Sequence, residues 1–132
     1  MDRILSSENI QDQTNTLSRR QLDTIQKFSK SLKSTYGQEF ELQIKRKSFE
    51  QLPQTDSKTF FLGVCPEKKQ VVVQLPVLMQ QSLPRGFSEY MEKKHFPRYW
   101  NATAWDQGVM DCLHLVWKQL NKLQEEKKNA TN

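Results

Sequence analysis

The stretch Thr59-Phe-Phe-Leu-Gly-Val-Cys-Pro-Glu-Lys-Lys-Gln-Val-Val-Val-Gln-Leu75 decides the fold of this chain. Two runs of β-branched and aromatic residues flank a short charged turn, which is the signature of a β-hairpin. Neither run alternates cleanly between apolar and polar residues. A strand with one wet face would alternate, so the pattern predicts a hairpin covered on both faces over part of its length.

The rest of the chain supplies amphipathic material to cover it. Upstream, Ser18 is placed as an N-cap, Gln21 completes a capping box, and Leu17 with Leu22 forms a hydrophobic staple. Leu22, Ile25, Phe28, Leu32 and Tyr36 then recur at three- and four-residue spacing, one apolar stripe that ends at Gly37 as a left-handed cap. In Glu39–Lys45, Phe40, Leu42 and Ile44 alternate with polar residues, which predicts a strand with one face on the core. Lys45-Arg46-Lys47 reads as its solvated end. Phe49 and Leu52 fall in a connection that closes at Pro53 and Asp56-Ser57.

Downstream, Pro76 stops the second hairpin strand, and Val77–Leu83 fits a short helix. A further helix is predicted from Phe87 to about His95, with Phe87, Tyr90, Met91 and Lys94 on its inner side. The aromatic cluster Phe96-Pro-Arg-Tyr-Trp100 comes next. The last helix opens near Trp105 with Val109, Cys112, Leu113, Val116, Leu120 and Leu123 as its stripe. Acidic residues near its start and lysines near its end suit the helix dipole. Three parts result: an arm over 1–16, one domain over 17–124, and a charged tail over 125–132. The expected class is α/β (α+β, sandwich-like), a small mixed β-sheet with amphipathic helices packed on it.

Composition bounds the function. With 132 residues the chain is long enough to bury a core without disulfide or metal support. Its net charge of +5 is spread evenly: residues 1–66 hold ten basic and eight acidic groups, residues 67–132 ten and seven. A dedicated nucleic-acid binder concentrates charge on one face or arm, so the linear pattern argues against nucleic acid. Cys65 and Cys112 sit in apolar segments with no CxxC spacing, as small hydrophobes. No run approaches the roughly 18 apolar residues of a membrane span, and Met1–Asp12 holds no apolar leader. The sequence as it stands reads as cytoplasmic, and as extracytoplasmic or membrane-anchored if a leader or anchor has been removed.

Several segments resemble the TPM domain family, which includes a thylakoid lumen protein linked to photosystem repair. Ile10-Gln-Asp12 before Leu17-Ser18 is similar to the family's Asp-containing entry into a Leu-Ser helix start. Tyr36-Gly-Gln-Glu-Phe-Glu-Leu-Gln-Ile44 resembles its helix end and first strand. Asp56–Val64 and Gln70–Leu75 look like its next two strands, and Trp105-Asp-Gln-Gly-Val109 like the start of its final helix. The likeness spans about residues 10–123. It implies a TPM-type fold and, from different members, either a non-enzymatic accessory role or calcium binding with phosphatase activity. The chain departs from the family at Ser57-Lys58-Thr59, where members often continue an Asp-Asn-Gly, and at Leu75-Pro76-Val77, which replaces their glycines.

Two groups of residues are candidates for a site. The resemblance places acidic residues at Asp12, Asp56 and Asp106, which together would offer oxygen ligands to a hard divalent cation such as calcium. The segment containing Lys93, Lys94, Phe96, Arg98, Tyr99 and Trp100, followed by Trp105, mixes basic and aromatic residues. Such a mixture either binds a partner or plugs the core between two helices. His95 and His114 read as surface or partly buried histidines. Neither a P-loop nor a nucleophile motif occurs. The leading expectation is a non-catalytic accessory domain working through an unidentified protein partner. The alternatives are a metal-dependent phosphatase-like hydrolase and a binder of anionic membrane or nucleic acid, with peripheral rather than spanning membrane contact.

Overall fold

The computed structural model describes residues 9–50, 57–100 and 103–130. Its elements run β1 (Ile10–Asp12), α1 (Arg19–Tyr36), β2 (Glu39–Ile44), β3 (Thr59–Cys65), β4 (Gln70–Gln74), α2 (Val77–Ser82) and α3 (Phe87–Tyr90). A π-turn (Met91–His95), α4 (Pro97–Trp100) and α5 (Trp105–Ala130) complete the chain. The four strands form one sheet in the order β1-β2-β3-β4. β1 and β2 are parallel, β2 and β3 are parallel, and β3 and β4 are antiparallel. This is the mixed α/β architecture that the pattern of elements predicts.

The helix caps form as their residues dictate. Ser18 Oγ accepts from Gln21 N–H at 3.1 Å, while the Gln21 side chain accepts from Ser18 N–H at 2.9 Å. Two orphan donors of the first turn are thereby satisfied. At the other end Gly37 takes φ +70°, and its N–H returns to the carbonyls of Leu32 and Lys33.

One face of the sheet carries the main core. Phe40, Leu42 and Ile44 of β2, Phe60, Leu62 and Val64 of β3, and Val71 and Val73 of β4 pack with the buried stripes of α1 and α5. Phe40 and Phe60 sit side by side across the parallel pair with ring centroids 5.1 Å apart. Phe28 of α1 meets Phe40 edge-on at 5.1 Å.

The other face is polar under β2, where Gln43 donates to Glu41 at 2.6 Å. It is apolar only under the hairpin. There Phe61, Cys65 and Val72 form a small cluster closed by Phe49 from the β2–β3 connection. Phe49 is held by its backbone: its N–H donates to Gln70 Oε1 at 2.8 Å and its carbonyl accepts from Gln70 Nε2 at 3.3 Å. Gly63 is the residue beneath the ring. A Cβ there would lie 2.8 Å from Phe49 Cζ, so glycine in mid-strand marks a close approach. Among the described residues the hairpin is covered on both faces, by helices on one side and by Phe49 on the other.

Four local expectations change. Ile10–Asp12, read as part of a loose arm, pairs with β2 as an edge strand, and Ile10 is buried. Three residues are too short to show a period, so nothing in the linear pattern marks them. Tyr90 and Lys94 are exposed, and the inner side of their helix is Phe87, Met91 and His95. The π-turn shifts the helical phase: Phe96 N–H bonds the Met91 carbonyl five residues back, which turns Phe96 inward as well. His95, expected at or near the surface, is 1% exposed. Finally, α5 continues to Ala130, through most of the stretch read as a tail. No helix among the described residues is long and apolar enough to cross a membrane.

Candidate functional site

The predicted acidic residues take structural partners where they are described. Asp12 ends β1 and organises the turn into α1. Its Oδ1 accepts from Thr14 N–H at 2.9 Å and from Thr14 Oγ1–H at 2.6 Å, and its Oδ2 accepts from Leu17 N–H at 3.0 Å. Asp106, in the first turn of α5, accepts from Gln21 Nε2 at 3.0 Å. Both carboxylates are thus tied to the start of α1, one before the cap and one through the capping-box glutamine. Asp56 lies outside the described residues. Among the described residues no group of three His, Cys, Asp or Glu side chains is placed to hold a metal ion.

The basic-aromatic segment divides. Phe96 is fully buried and Trp105 is 9% exposed, so both pack in the main core. Tyr99 and Trp100 are half-buried, while Lys93, Lys94 and Arg98 are exposed. The aromatic part is therefore the plug between the π-turn and α5. Gly108 makes that packing possible, because a Cβ there would stand 3.0 Å from the Tyr99 ring and 3.2 Å from Phe96.

His95 sits at the centre of this plug. Its Nε2 lies 2.9 Å from the Gly108 carbonyl, which can only accept, and its Nδ1 lies 3.4 Å from Arg98 Nη2, which can only donate. The two partners together assign a neutral ring protonated at Nε2. Burial pushes the His95 pKa down, the Gly108 hydrogen bond opposes this, and the Arg98 charge adds to the depression. Beside it Tyr99 donates to Asp111 Oδ2 at 2.5 Å, and Gln107 Nε2 donates to Asp111 Oδ1 at 2.9 Å. Burial would raise the Asp111 pKa, but these two hydrogen bonds outweigh it and leave it lowered. The same bond to Asp111 raises the Tyr99 phenol.

A second feature is not visible as a site in the sequence. Between α1 and α5 runs a groove of about 280 Å³ lined by Thr24, Lys27, Phe28, Ser31, Met110, Leu113, His114 and Trp117. Its floor is apolar, and its rim carries Lys27 and His114. Trp117 is fixed from two sides, with Phe28 edge-on at 6.2 Å and Tyr36 edge-on at 5.6 Å. Tyr36 is anchored in turn by its hydroxyl, which donates to Asn121 Oδ1 at 3.0 Å. An aromatic ladder from Phe40 through Phe28 to Trp117 therefore ties the groove to the sheet. The stripes read from the sequence hold Phe28 of α1 and Leu113 of α5 but not Met110 or Trp117. Only the crossing of the two helices leaves Met110 and Trp117 half-buried.

The fold and the groove define a class: a mixed α/β domain whose four-stranded sheet is covered by helices, with an open apolar cleft between the two longest. Solved structures of this shape exist. The N-terminal domain of a protein from P. gingivalis is similar with a TM-score of 0.75 at 14% identity, over 91% of this chain and 86% of that one. The N-terminal domain of the cg2496 protein from Corynebacterium glutamicum is similar with a TM-score of 0.58 at 14% identity, over 86% and 78% of the two chains. At that identity the likeness establishes the fold alone. No family model and no curated protein matches the chain.

Proposed function

We propose that this chain is a non-catalytic binding domain of TPM type that docks a protein segment in the α1/α5 groove. The observation that carries the reading is the groove floor, where Phe28, Met110, Leu113 and Trp117 line one cleft. Tryptophan is enriched among interface hot spots, and methionine adapts to varied apolar surfaces. The helix-in-groove mode uses this geometry, with apolar anchors below and charge at the rim. The rim and the outer face of α1 are cationic, since α1 carries Arg19, Arg20, Lys27, Lys30 and Lys33 against Asp23 alone. The occupant that fits is an acidic amphipathic segment of a partner protein. The TPM-type assignment rests on the motifs at 10–18, 36–44 and 105–109.

A photo-crosslinking side chain placed at Ser31 tests the reading together with titration of an acidic amphipathic peptide and its sequence-scrambled twin. The expected result is saturable binding of the first peptide, an adduct at position 31, and loss of both in Met110→Glu. Truncating a hot spot costs about 2 kcal/mol or more, so Trp117→Ala should weaken binding about thirtyfold. Equal binding of the scrambled peptide refutes the groove. Heat on titration with calcium or magnesium that disappears in Asp12→Asn would instead favour the metal-dependent hydrolase.

A further inference from the structure

Three basic runs that lie far apart in the chain meet at one end of the sheet. Lys45-Arg46-Lys47 leaves the C-terminal end of β2, and the Lys45 N–H bonds the carbonyl of Val64 near the end of β3. Lys68 and Lys69 form the tip of the β3–β4 hairpin beyond that same end. Lys93 comes from the π-turn. Lys68, Lys69 and Lys93 line one open depression of about 410 Å³ together with Ser48, Gln70, Val71 and Glu92.

The surrounding charges are named by the same elements. Seven basic side chains (Lys45, Arg46, Lys47, Lys68, Lys69, Lys93, Lys94) stand against Glu50, Glu67, Glu89 and Glu92, a surplus of three in a chain whose total is +5. Lys93 pairs with Glu89 at 3.2 Å, but both side chains are more than two-thirds exposed. Such a pair yields readily to a ligand. Among the described residues Arg46, Lys47, Lys68, Lys69 and Lys94 form no ion pair. Gln70 is held in place by Phe49, which bonds its Oε1 and one of its Nε2 hydrogens. The cationic and hydroxyl donors lining the depression are those of Lys68, Lys69, Lys93 and Ser48.

Lys69 adds an independent sign. It closes the hairpin at φ +52°, ψ +43°, the left-handed conformation in which glycine is the residue of least strain. A lysine there keeps a charge at the tip at the expense of backbone comfort.

We infer that this end of the sheet binds clustered phosphate groups, as carried by a di- or triphosphate anion or by a phosphomonoester lipid headgroup. Lysine ammonium groups act as mobile point charges that gather around several phosphate oxygens, and a concave wall with a hydroxyl suits a compact anion. A nucleic-acid strand would also need exposed rings for its bases. Phe49, next to Ser48 in the chain, faces inward and is buried.

Two arms separate the sources: titration with tripolyphosphate, and sedimentation with vesicles of phosphatidylcholine doped with phosphatidic acid or, at matched charge, phosphatidylglycerol. The test variant is Lys68→Ser with Lys69→Gly, and the control is Lys30→Ser with Lys118→Ser, which removes the same charge elsewhere. The test variant should bind tripolyphosphate about tenfold more weakly while the control changes less than about twofold. Affinity should fall as salt rises from about 50 to about 300 mM. Because Lys69→Gly relieves the left-handed backbone, the test variant should unfold at the wild-type midpoint or higher, so loss of binding cannot be loss of fold. Binding of tripolyphosphate alone supports a soluble ligand, and added preference for phosphatidic acid vesicles supports the headgroup. Absence of both, equal weakening in the control, or a DNA oligomer that outcompetes tripolyphosphate would overturn the inference.

Discussion

Replacing Phe49 with alanine isolates what a single side chain contributes to the covered back of the sheet. Phe49 is 7% exposed and, among the described residues, closes a cluster with Phe61, Cys65 and Val72. A phenylalanine truncated to alanine in a core costs about 3–5 kcal/mol from lost transfer energy and the cavity left behind. Here the lower end applies, because Phe49 packs in a small cluster apart from the main core. The edge-on contact with Phe61 at 6.2 Å and the Lys45 ammonium 4.9 Å from the ring are lost with it. The Gln70 bonds use Phe49 backbone atoms, so they survive. The expected loss is about 3 kcal/mol, which lowers Tm by roughly 10 °C in a domain of this size.

Urea denaturation measures the loss, and thiol labelling locates it. Cys65 and Cys112 are both fully buried in the native chain. Burial pushes the Cys112 thiol up to about 12, on the main-core side that Phe49 does not touch. In Phe49→Ala, Cys65 should therefore react under native conditions while Cys112 stays inert and serves as an internal control. A loss below about 1 kcal/mol, or a Cys65 as protected as Cys112, would refute the role given to Phe49.

Acid should weaken the fold in a window set by His95. Its folded pKa lies below the ordinary 6.5, so above that pH both states are neutral and its contribution is fully present. As pH falls below 6.5 the unfolded chain takes a proton that the folded chain refuses, and stability drops by up to about 1.4 kcal/mol per pH unit. Denaturation curves between pH 7.5 and 5 should show this slope, and His95→Gln, which keeps a donor for the Gly108 carbonyl, should flatten it. The depressed Asp111 acts in a separate window, with stability lost only as pH falls below the usual carboxylate value of 3.8. At the start of α1, Ser18→Ala should cost about 1 kcal/mol by denaturant midpoint, the typical value of an N-cap.

Much of the architecture is legible in the sequence because the local signals and the final packing agree. The capping box at Ser18 and Gln21, the left-handed Gly37, the alternation of Phe40, Leu42 and Ile44, and the two-sided hairpin all survive in the fold. Each is set within a few residues by hydrogen bonding, chirality or side-chain period. The edge strand β1 is hidden, since its pairing partner Leu42 stands 32 residues beyond Ile10. Periodicity misplaces the inner face after Phe87 because a π-turn changes the helical phase without a composition signal that marks it.

The candidate sites divide along the same line. The sequence by itself determined that Phe96, Trp105 and their neighbours form an aromatic segment. Only packing decided that Phe96 and Trp105 go to the core and that Gly108 receives the rings. It determined the residues of two amphipathic stripes, but the cleft at Met110 and Trp117 exists only where α1 and α5 cross. Above all, it determined that basic residues are evenly spread along the chain, and that evenness argued against nucleic acid. The parallel register of β2 and β3 puts Lys45–Lys47 and the Lys68-Lys69 tip at one end, and the π-turn brings Lys93 to meet them. Charge adds in space rather than along the chain, so the electrostatic character of this protein is a property of its fold.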